Sequence, residues 1–393
     1  MLEPIASHVS SFLHSDFRHK LDAVIDGALV SERLVGAVVL ASQDGSAVYR
    51  RAAGLADREA GIHMKEDSIF RLASVSKLFV ATAAMALVDR GRIALDVPVA
   101  DFLPTFKPRL ADGRAASMTI RQLLTHTSGL SYGFLESKNG PYHRAKVSDG
   151  MDRSGLSLEE NLRRLASVPL LFEPGTAWNY SLSIDVLGAV IEKVTGLSLA
   201  DAVRNLVTKP VGLAESGFTV TDPTRLATAY ADGSRRPRRM KDDDLLQTMP
   251  GLADVTMSPT RAFDSDAFPS GGAGMVGTAD DTLRLLEALR LGGDAILSQE
   301  RVRDMGSNQI GALPVAGWPG WGHGLGFSVL LDPTTAGTPE TEGTWRWGGA
   351  YGHSWFVDPS EKLTVVAFTN TAFEGMSGGG RFPQDLCRAI YDR

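Results

Sequence analysis

The sequence predicts an α+β fold in which a mainly antiparallel sheet is flanked by helices and joined to a helical lobe. Strand patterns stand near both ends of the chain, at about 35–53 and 325–369, and helical patterns lie between them. The regular alternation of strand and helix that produces a parallel sheet is missing. We therefore expect the two terminal sets of strands to pair in one sheet.

Hydrophobic periodicity and turn residues predict the individual elements. A first helix at 15–31 is followed by strands at 35–41 and 47–53, which the turn Gln43-Asp44-Gly45 joins into a hairpin. Helices follow at 74–90, 118–126, 157–167, 183–196 and 198–207, and the stretch 209–268 is predicted to be irregular and polar. The remaining elements are helices at 279–291 and 298–306, strands at 325–331, 343–348, 352–358 and 363–369, and a closing helix at 383–391. The first and last helices are expected to cover the sheet.

Composition and charge exclude several classes of protein. The 393 residues carry a net charge of −6, which argues against nucleic acid and anionic membranes as partners. The single cysteine, Cys387, excludes an intrachain disulfide, and the eight histidines show no metal-ligand spacing, so neither a metal nor a cofactor is predicted. Residues 1–8 lack a basic, apolar leader, and no apolar run is long enough to span a membrane. A cytoplasmic protein is predicted, and its oligomeric state is left open.

Ser74 and Lys77 are the first pair of residues that points to chemistry. They stand three apart in Ser74-Val75-Ser76-Lys77, so on a helix the lysine amine lies beside the serine hydroxyl. The run 78–88 is apolar all round, which predicts a buried helix and a buried lysine. Burial favours the neutral amine, which makes Lys77 a candidate base for the serine proton. A solvated lysine near a helix start is the ordinary alternative.

Tyr180 and a glycine-rich strand are the other two informative features. Tyr180 stands between the turn at 173–176 and the helix predicted from 183, a place from which a side chain can project into a cleft. A tyrosine beside a lysine can exchange protons with it, although a lone tyrosine usually serves packing. The segment Trp347-Gly348-Gly349-Ala350 completes the set. Together the three features indicate a hydrolase that attacks acyl groups with a serine whose base is not histidine.

A literal Gly-x-Ser-x-Gly motif at 375–379 offers Ser377 as a rival nucleophile. In hydrolases that use this motif, the serine lies between a strand and a helix, and a histidine follows it in the chain. No histidine follows Ser377, and the three glycines after it make a poor helix start, so we predict a flexible loop. His126 is predicted to be a helix-end cation or a packed residue, and His353 is a minor candidate for contact with substrate.

In order and spacing, these motifs resemble the serine β-lactamase and penicillin-binding-protein superfamily and, within it, the family VIII carboxylesterases over nearly the whole chain. The supporting segments are Ser74-Val75-Ser76-Lys77, Leu123-Leu124-Thr125-His126-Thr127-Ser128-Gly129-Leu130, Tyr180-Ser181-Leu182, Pro269-Ser270-Gly271-Gly272-Ala273-Gly274-Met275 and Trp347-Gly348-Gly349. The resemblance implies a serine β-lactamase-like fold, with one catalytic unit over 1–393. Its α/β lobe would comprise about 1–70 and 280–393, and its helical lobe about 71–279.

The resemblance also implies roles for particular residues. Ser74 would be the nucleophile, Lys77 its hydrogen-bonded base partner, and Tyr180 the group that passes a proton to the leaving alcohol. The backbone N–H groups of Ser74 and Ala350 would form the oxyanion hole. The predicted substrate-binding residues are Tyr132, Trp347, Gly348, Gly349 and Ala350.

Two departures from the β-lactamase pattern shape the expected activity. Leu182 stands where that pattern has an asparagine, and Trp347-Gly348-Gly349 replaces its Lys-Thr-Gly strand. The loss of an amide and an ammonium removes polar recognition of an anionic β-lactam, and tryptophan adds apolar surface that suits neutral esters. We expect a serine carboxylesterase acting on small-molecule, short-chain acyl esters, with weak or no β-lactamase activity. The alternatives are an acyltransferase on the same scaffold and a non-catalytic penicillin-binding-like protein.

Overall fold

The structure is a computed structural model that describes residues 16–233, 236–293 and 295–392. Residues 1–8 and the first residue of the helix predicted at 15–31 lie outside the described residues. The strands within these ranges are β1 (Gly36–Gln43), β2 (Ser46–Asp57), β3 (Ile62–His63), β4 (Phe70–Arg71), β5 (Tyr230–Ala231), β6 (Arg238–Arg239), β7 (Asp244–Gln247), β8 (Asp254–Met257), β9 (Val276–Gly277), β10 (Trp321–His323), β11 (Ser328–Leu330), β12 (Trp345–Gly349), β13 (His353–Asp358) and β14 (Leu363–Thr369).

Eight of these strands form one antiparallel sheet in the order β10-β11-β12-β13-β14-β1-β2-β3. The N-terminal strand β1 pairs with the C-terminal strand β14, with Ala37 opposite Thr369 and Gln43 opposite Leu363. The prediction that both ends of the chain build one sheet is therefore confirmed. The sequence does not predict β10, because three residues of the type Trp-Gly-His are too few to show an alternating pattern.

The predicted helices are present, with small shifts at their ends. The α-helices of the described residues are α1 (Phe17–Val30), α2 (Ser76–Asp89), α3 (Ile120–Leu124), α4 (Pro141–Ala145), α5 (Leu158–Ala166), α6 (Ser183–Thr195), α7 (Leu199–Val203), α8 (Lys209–Val211), α9 (Ala279–Arg290), α10 (Gln299–Met305), α11 (Pro333–Ala336) and α12 (Phe382–Tyr391). A wider π-type turn at Arg204–Thr208 connects α7 to α8, so the helix predicted at 198–207 is longer and less regular than expected.

Side-chain caps determine where several helices begin. The Thr119 hydroxyl accepts the backbone N–H of Gln122, and the Gln122 side chain accepts the N–H of Thr119, which forms a capping box at the start of α3. Ser157, Thr278 and Ser298 accept the corresponding N–H groups at the starts of α5, α9 and α10. These caps satisfy donors that would otherwise lack a partner in the first helical turn.

Two helical layers cover the sheet. On one side, α1 and α12 pack together and bury Leu21, Ile25 and Phe382 against β1 and β14, as predicted. On the other side, α9 packs on β1 and β14, where Glu287 accepts hydrogen bonds from the hydroxyls of Ser42 and Thr364. Helix α2 is buried from Ser76 to Leu87 and packs against α6. Its position explains why this run is apolar on every side.

The stretch predicted to be irregular at 209–268 has more order than its sequence indicates. Strand β5 pairs with β6, and β7 pairs with β8 from Asp244 opposite Met257 to Gln247 opposite Asp254. Strand β7 is short, and Leu245, one of its two apolar residues, is exposed, so it carries little of the hydrophobic pattern by which strands are predicted. The prediction of an irregular segment is wrong for these two hairpins.

Across the described parts of the chain, no helix is both long and apolar enough to cross a membrane. The division into an α/β lobe and a helical lobe stays a prediction.

Candidate active site

Ser74 lies in a tight 3₁₀ turn, Ala73–Val75, that leads directly into α2. Ala73, just before the serine, has a φ of +44°, a left-handed conformation that residues with a side chain rarely adopt. The neighbouring chain holds this turn in place: the Leu72 N–H donates to the Met275 carbonyl, and the Met275 N–H donates to the Ser76 hydroxyl, at 2.9 and 3.0 Å. Such strain persists only where the surroundings enforce it, and it is common at functional sites.

Ser74, Lys77 and Tyr180 form one hydrogen-bonded group. The Ser74 Oγ is 2.5 Å from the Tyr180 hydroxyl oxygen, and the Lys77 Nζ donates to the same Oγ at 3.2 Å. Ser74 and Tyr180 are partly exposed, whereas Lys77 is completely buried (0% exposed). The three residues that the sequence singles out are therefore brought together, with the serine at the surface and the lysine beneath it.

Among the residues that the structure describes, no carboxylate contacts the Lys77 amine. Its second hydrogen bond goes to the backbone carbonyl of Gly272, at 2.7 Å. The amine also lies over two aromatic rings, 4.6 Å from the centre of the Tyr180 ring and 5.3 Å from that of Tyr132. Aromatic faces stabilise a desolvated cation, so this pocket can accommodate the Lys77 ammonium without a carboxylate partner.

The loop before α6 is tied down at several points, which fixes Tyr180. The Asn179 N–H donates to the His126 carbonyl, and its side chain donates to the Leu130 carbonyl, at 2.9 and 3.0 Å. His126 Nδ1 lies 3.1 Å from the Ser181 hydroxyl, which continues through Ser183 to Ser128 as a buried chain of hydroxyl groups. The Leu123–Leu130 and Tyr180–Leu182 motifs are thus two halves of one network.

Close backbone contacts at the end of β12 explain its glycines. A Cβ atom at Gly349 would lie 2.3 Å from the Leu72 carbonyl oxygen, and one at Gly348 would lie 2.3 Å from the His353 carbonyl oxygen. Both distances are shorter than any ordinary contact, so only glycine allows this strand to approach the Ser74 turn. Ala350 follows the strand and is partly exposed beside that turn.

Aromatic side chains form a wall along the same site. The Trp347 ring lies 5.5 Å from Tyr180 and 5.9 Å from Trp318, measured between ring centres. Tyr132 is buried and lies 4.9 Å from the Tyr180 ring, on the side of the Lys77 amine. Burial raises the pKa of Tyr132 well above its ordinary value, so the phenol is neutral. Of the predicted substrate-binding residues, Trp347 and Tyr132 line this wall, while the two glycines contribute backbone only.

Asp185 is a site residue that the sequence reasoning missed. It is buried on α6 (1% exposed) and its Oδ1 accepts a hydrogen bond from the Ser270 hydroxyl at 2.6 Å. Its Oδ2 lies next to Gly272, the residue whose carbonyl receives Lys77, because a Cβ there would be only 2.5 Å away. Burial raises the pKa of Asp185, and Ser270 and the Lys77 charge oppose the rise. An aspartate in an otherwise apolar helix face was the available signal.

Two of the histidines are buried and contact aromatic rings. Burial lowers the pKa of His126 well below its ordinary value, so the packed alternative holds and the helix-end cation is wrong. His353 is fully buried, donates from Nε2 to the Arg71 carbonyl at 2.8 Å and packs between Phe70 and Phe368. It lies beneath β12 and not on the exposed side of the site.

Ser377 lies in a loop and not at the start of a helix, as predicted, but its side chain is held by a hydrogen bond. The residue is only 8% exposed, and its hydroxyl donates to the Trp347 carbonyl at 2.9 Å. The expectation of a flexible loop is therefore wrong for this serine. Its hydroxyl instead stabilises the backbone of β12. No group of three or more potential metal ligands occurs among the residues that the structure describes.

The fold and the group around Ser74 define a protein of the serine β-lactamase type. The chain belongs to the beta-lactamase family, whose model matches residues 21–389.

Individual relatives agree with this assignment. Esterase EstB from Burkholderia gladioli is 52% identical over 360 residues, which cover 91% of this chain and 92% of that protein. The solved structure of EstCE1, described as a hydrolase with promiscuous acyltransferase activity, has a TM-score of 0.93 and 46% identity and covers 96% of this chain and 98% of its own. Acyltransferase calJ from Penicillium decumbens is 28% identical over 83% of this chain and 81% of its own length. The resemblance to the β-lactamase-like esterases is confirmed.

Proposed function

We propose that this protein is a serine carboxylesterase that hydrolyses short-chain acyl esters of small molecules through an acyl-enzyme on Ser74. The observation that carries the proposal is the group in which the Ser74 Oγ contacts both the Tyr180 hydroxyl and the buried Lys77 amine. The high identity to Esterase EstB along nearly the whole chain supports the reaction class.

Acylation begins with attack of the Ser74 Oγ on the ester carbonyl carbon. The proton of the serine passes to the Tyr180–Lys77 pair, since both groups lie within hydrogen-bond distance of Oγ. Tyr180 is partly exposed. In this scheme it returns that proton to the alcohol oxygen as the bond between that oxygen and the acyl carbon breaks. Water then repeats the sequence in reverse and releases the acid.

The backbone N–H groups of Ser74 and Ala350 form the oxyanion hole in this scheme. The close approach of Gly349 to the Leu72 carbonyl places the end of β12 against the Ser74 turn, which supports this pairing. Each donor of such a hole contributes about 3 kcal/mol to stabilisation of the transition state.

The surroundings of the site favour neutral esters over β-lactams. Leu182 is completely buried and offers no polar group to a substrate, and the Trp347 indole occupies the strand position where an ammonium would attract a carboxylate. Binding an anionic antibiotic would leave its charge unpaired against an aromatic wall, which is costly. Weak or absent β-lactamase activity is therefore part of the proposal.

The test compares the wild-type protein with Ser74→Ala on p-nitrophenyl acetate, p-nitrophenyl butyrate and a chromogenic cephalosporin. We expect rapid ester turnover by the wild type, little opening of the lactam ring, and no turnover above background by the folded variant. Near-normal ester hydrolysis by Ser74→Ala would contradict the assignment of the nucleophile. Faster lactam than ester hydrolysis would contradict the substrate class.

Acyl transfer to an alcohol is the second candidate activity. EstCE1 is described as having promiscuous acyltransferase activity, and calJ is named an acyltransferase, so the scaffold supports both outcomes in those proteins. Adding an alcohol to the ester assay and measuring the new ester separates transfer from hydrolysis. The third hypothesis, a non-catalytic penicillin-binding-like protein, predicts that the substrate labels Ser74 without turnover.

A cytoplasmic location is proposed from the sequence.

A further inference from the structure

Three buried ring nitrogens beside Tyr180 lack a hydrogen-bond partner among the described residues: His126 Nε2, Trp178 Nε1 and His323 Nε2. The three rings contact one another, with centres 5.4 Å apart for His126 and His323, 5.8 Å for Trp178 and His323, and 6.3 Å for His126 and Trp178. Both histidines are completely buried. Each unpaired buried polar atom destabilises the folded protein. Three in one place indicate a polar occupant and not dry packing.

The hydrogen-bonding capacity of the nitrogens defines that occupant. His323 Nδ1 is 2.8 Å from the Gly324 carbonyl oxygen, which can only accept, so Nδ1 carries the proton. Burial lowers the pKa of His323 to about 4, so the ring is neutral at pH 7 and Nε2 is an acceptor without a donor. The Trp178 Nε1–H can only donate. His126 Nε2 can do either, because its Nδ1 pairs with a hydroxyl.

One acceptor, one donor and one adaptable nitrogen match a neutral hydroxyl group, which donates one hydrogen bond and accepts two. A carboxylate could not donate to His323 Nε2, and an ammonium could not accept from Trp178. Neither ion suits a pocket of buried rings, where an unpaired charge is expensive. The ligand class is therefore water or an alcohol.

These rings lie directly against the residues that the proposed reaction uses. The His126 ring is 4.9 Å from that of Tyr180, and the His323 ring is 5.6 Å from that of Trp347. We propose that His126, Trp178 and His323 form a subsite for one neutral hydroxyl group, and that this hydroxyl releases the acyl group from Ser74. This inference rests on the proposed function, because it requires an acyl-enzyme.

The step is balanced for either source of the hydroxyl. On attack the hydroxyl gives up its hydrogen bond to His323 Nε2 and one of the hydrogen bonds that it accepts, so that a lone pair of its oxygen forms a bond to the acyl carbon while its proton passes to the Tyr180–Lys77 pair. The bond from the acyl carbon to the Ser74 Oγ then breaks, and Oγ takes a proton back from that pair. With water the product is the free acid, and with an alcohol it is a new ester.

Two substitutions of His323 make a matched test. Asparagine keeps a donor near the position of Nδ1 and removes the acceptor at Nε2, whereas glutamine places a polar group near the position of Nε2. We expect His323→Asn to slow deacylation about 10-fold and His323→Gln to slow it less than about 3-fold, because only the first loses the contact. The pre-steady-state burst of p-nitrophenol, which reports acylation, should keep its rate in both variants.

Trp178→Phe provides an independent variant, since it removes the N–H and keeps most of the ring. It should show the same slowing of deacylation with an unchanged burst rate. A high-resolution crystal structure of the wild type should show an oxygen within hydrogen-bond distance of His323 Nε2 and Trp178 Nε1. The absence of that oxygen would overturn the proposal.

Methanol added to the assay distinguishes the two sources. If both water and alcohol use the subsite, His323→Asn lowers the rates of acid and methyl ester formation together. If only water uses it, the ratio of methyl ester to acid rises in the variant. Either result supports a hydroxyl subsite.

The contrary results are also distinct. Deacylation that is unchanged in both His323→Asn and Trp178→Phe, or a burst that slows in parallel with deacylation, would overturn the subsite. Mass spectrometry of the wild type tests the proposed function separately, since the lack of any acyl adduct on Ser74 would refute the acyl-enzyme itself.

Discussion

At the scale of single residues, Lys77 and Tyr180 share the task of binding the Ser74 hydroxyl. Lys77 reaches it from the buried side, and Tyr180 from the partly exposed side. A proton that leaves the serine therefore has two acceptors, one protected from water and one open to the leaving alcohol. In the proposed mechanism, this division allows a serine whose base is not histidine to serve both acylation and deacylation.

We predict that Lys77→Ala and Tyr180→Phe each lower kcat/KM for p-nitrophenyl butyrate at least about 100-fold, the scale of a positioned proton transfer. Tyr180→Phe keeps the ring and removes only the hydroxyl, so its thermal stability should stay close to that of the wild type. Steady-state kinetics with circular dichroism checks both statements. A Tyr180→Phe protein with most of its activity would assign the proton transfer to Lys77 alone.

The sequence is sufficient to identify Ser74, Lys77 and Tyr180, because short motifs encode their chemistry. It does not find Asp185, since the carboxylate meets Ser270 and Gly272 only through folding. It also leaves His126 undecided between a cation and a packed residue, because burial cannot be read from a helix end alone. Residues whose partners are distant in the sequence can be identified only from the structure.

At the scale of elements, the loop at 371–380 supports the end of β12. The Ser377 hydroxyl donates to the Trp347 carbonyl, and the Phe373 N–H donates to the Ala350 carbonyl at 3.1 Å. The loop thus holds the backbone at the end of the strand through these two hydrogen bonds. Ser377 therefore has a structural role in holding the end of β12.

We predict that Ser377→Ala keeps ester turnover within about 3-fold of the wild type and lowers the free energy of unfolding by about 1 kcal/mol, the value of one buried hydrogen bond. Chemical denaturation and the p-nitrophenyl butyrate assay measure the two quantities. Loss of all activity in a folded variant would instead make the Gly-x-Ser-x-Gly serine the nucleophile.

A second supporting contact lies under the Tyr132 loop. The Asp149 carboxylate accepts the Gly133 N–H at 2.9 Å, and burial, together with the charge of Asp152, raises the pKa of Asp149 to about 7. Because this pKa is higher in the folded than in the unfolded chain, the stability it confers is present at low pH and is lost as pH rises through 7. At pH 8 the folded protein carries an unfavourable, half-buried charge at Asp149.

Asp149→Asn should therefore raise the free energy of unfolding at pH 8 by about 2 kcal/mol. This is less than the full pKa difference would give, because the residue is only half-buried. The amide oxygen can still accept the Gly133 N–H. Urea denaturation at pH 8 and pH 4 is the measurement, and the pH 4 experiment is the internal control, since the wild-type carboxyl is then mostly neutral. An equal gain at both pH values would exclude titration of Asp149 as the cause.

The elements that sequence predicts well are those with long hydrophobic patterns. Helix α2 and strands β1 and β14 are buried on every side, and their apolar runs are unmistakable. Strands β7 and β8 pair with each other in a separate two-stranded sheet. They are short and expose polar residues such as Gln247, so hydrophobic periodicity does not reveal them. The glycines of β12 are conspicuous in the sequence, but their reason, contact with the Leu72 and His353 carbonyls, is tertiary.

At the scale of the whole molecule, buried neutral histidines lower the free energy of unfolding as the pH falls. Burial lowers the pKa of both His323 and His353 to about 4. A pKa that is lower in the folded than in the unfolded chain, where a histidine titrates near 6.5, gives stability that is present above pH 6.5 and lost as pH falls towards 4. Each histidine contributes about 3 kcal/mol to this loss.

We predict that the free energy of unfolding depends less steeply on pH between 6.5 and 4 in His353→Gln than in the wild type. Glutamine can donate to the Arg71 carbonyl from the position of Nε2, but it does not titrate. Denaturation series at several pH values give the two slopes. Parallel slopes would show that other groups cause the acid sensitivity.

The pairing of β1 with β14 also has a consequence for biosynthesis. The centre of the sheet joins residues 36–43 to residues 363–369, so the N-terminal hairpin cannot complete its pairing until residues 363–369 have left the ribosome. Contacts between positions so distant in sequence form slowly, and unpaired apolar strands aggregate while they wait. The helices between them can assemble earlier from local contacts. The newly made protein is therefore expected to need protection by a chaperone until its last strand arrives.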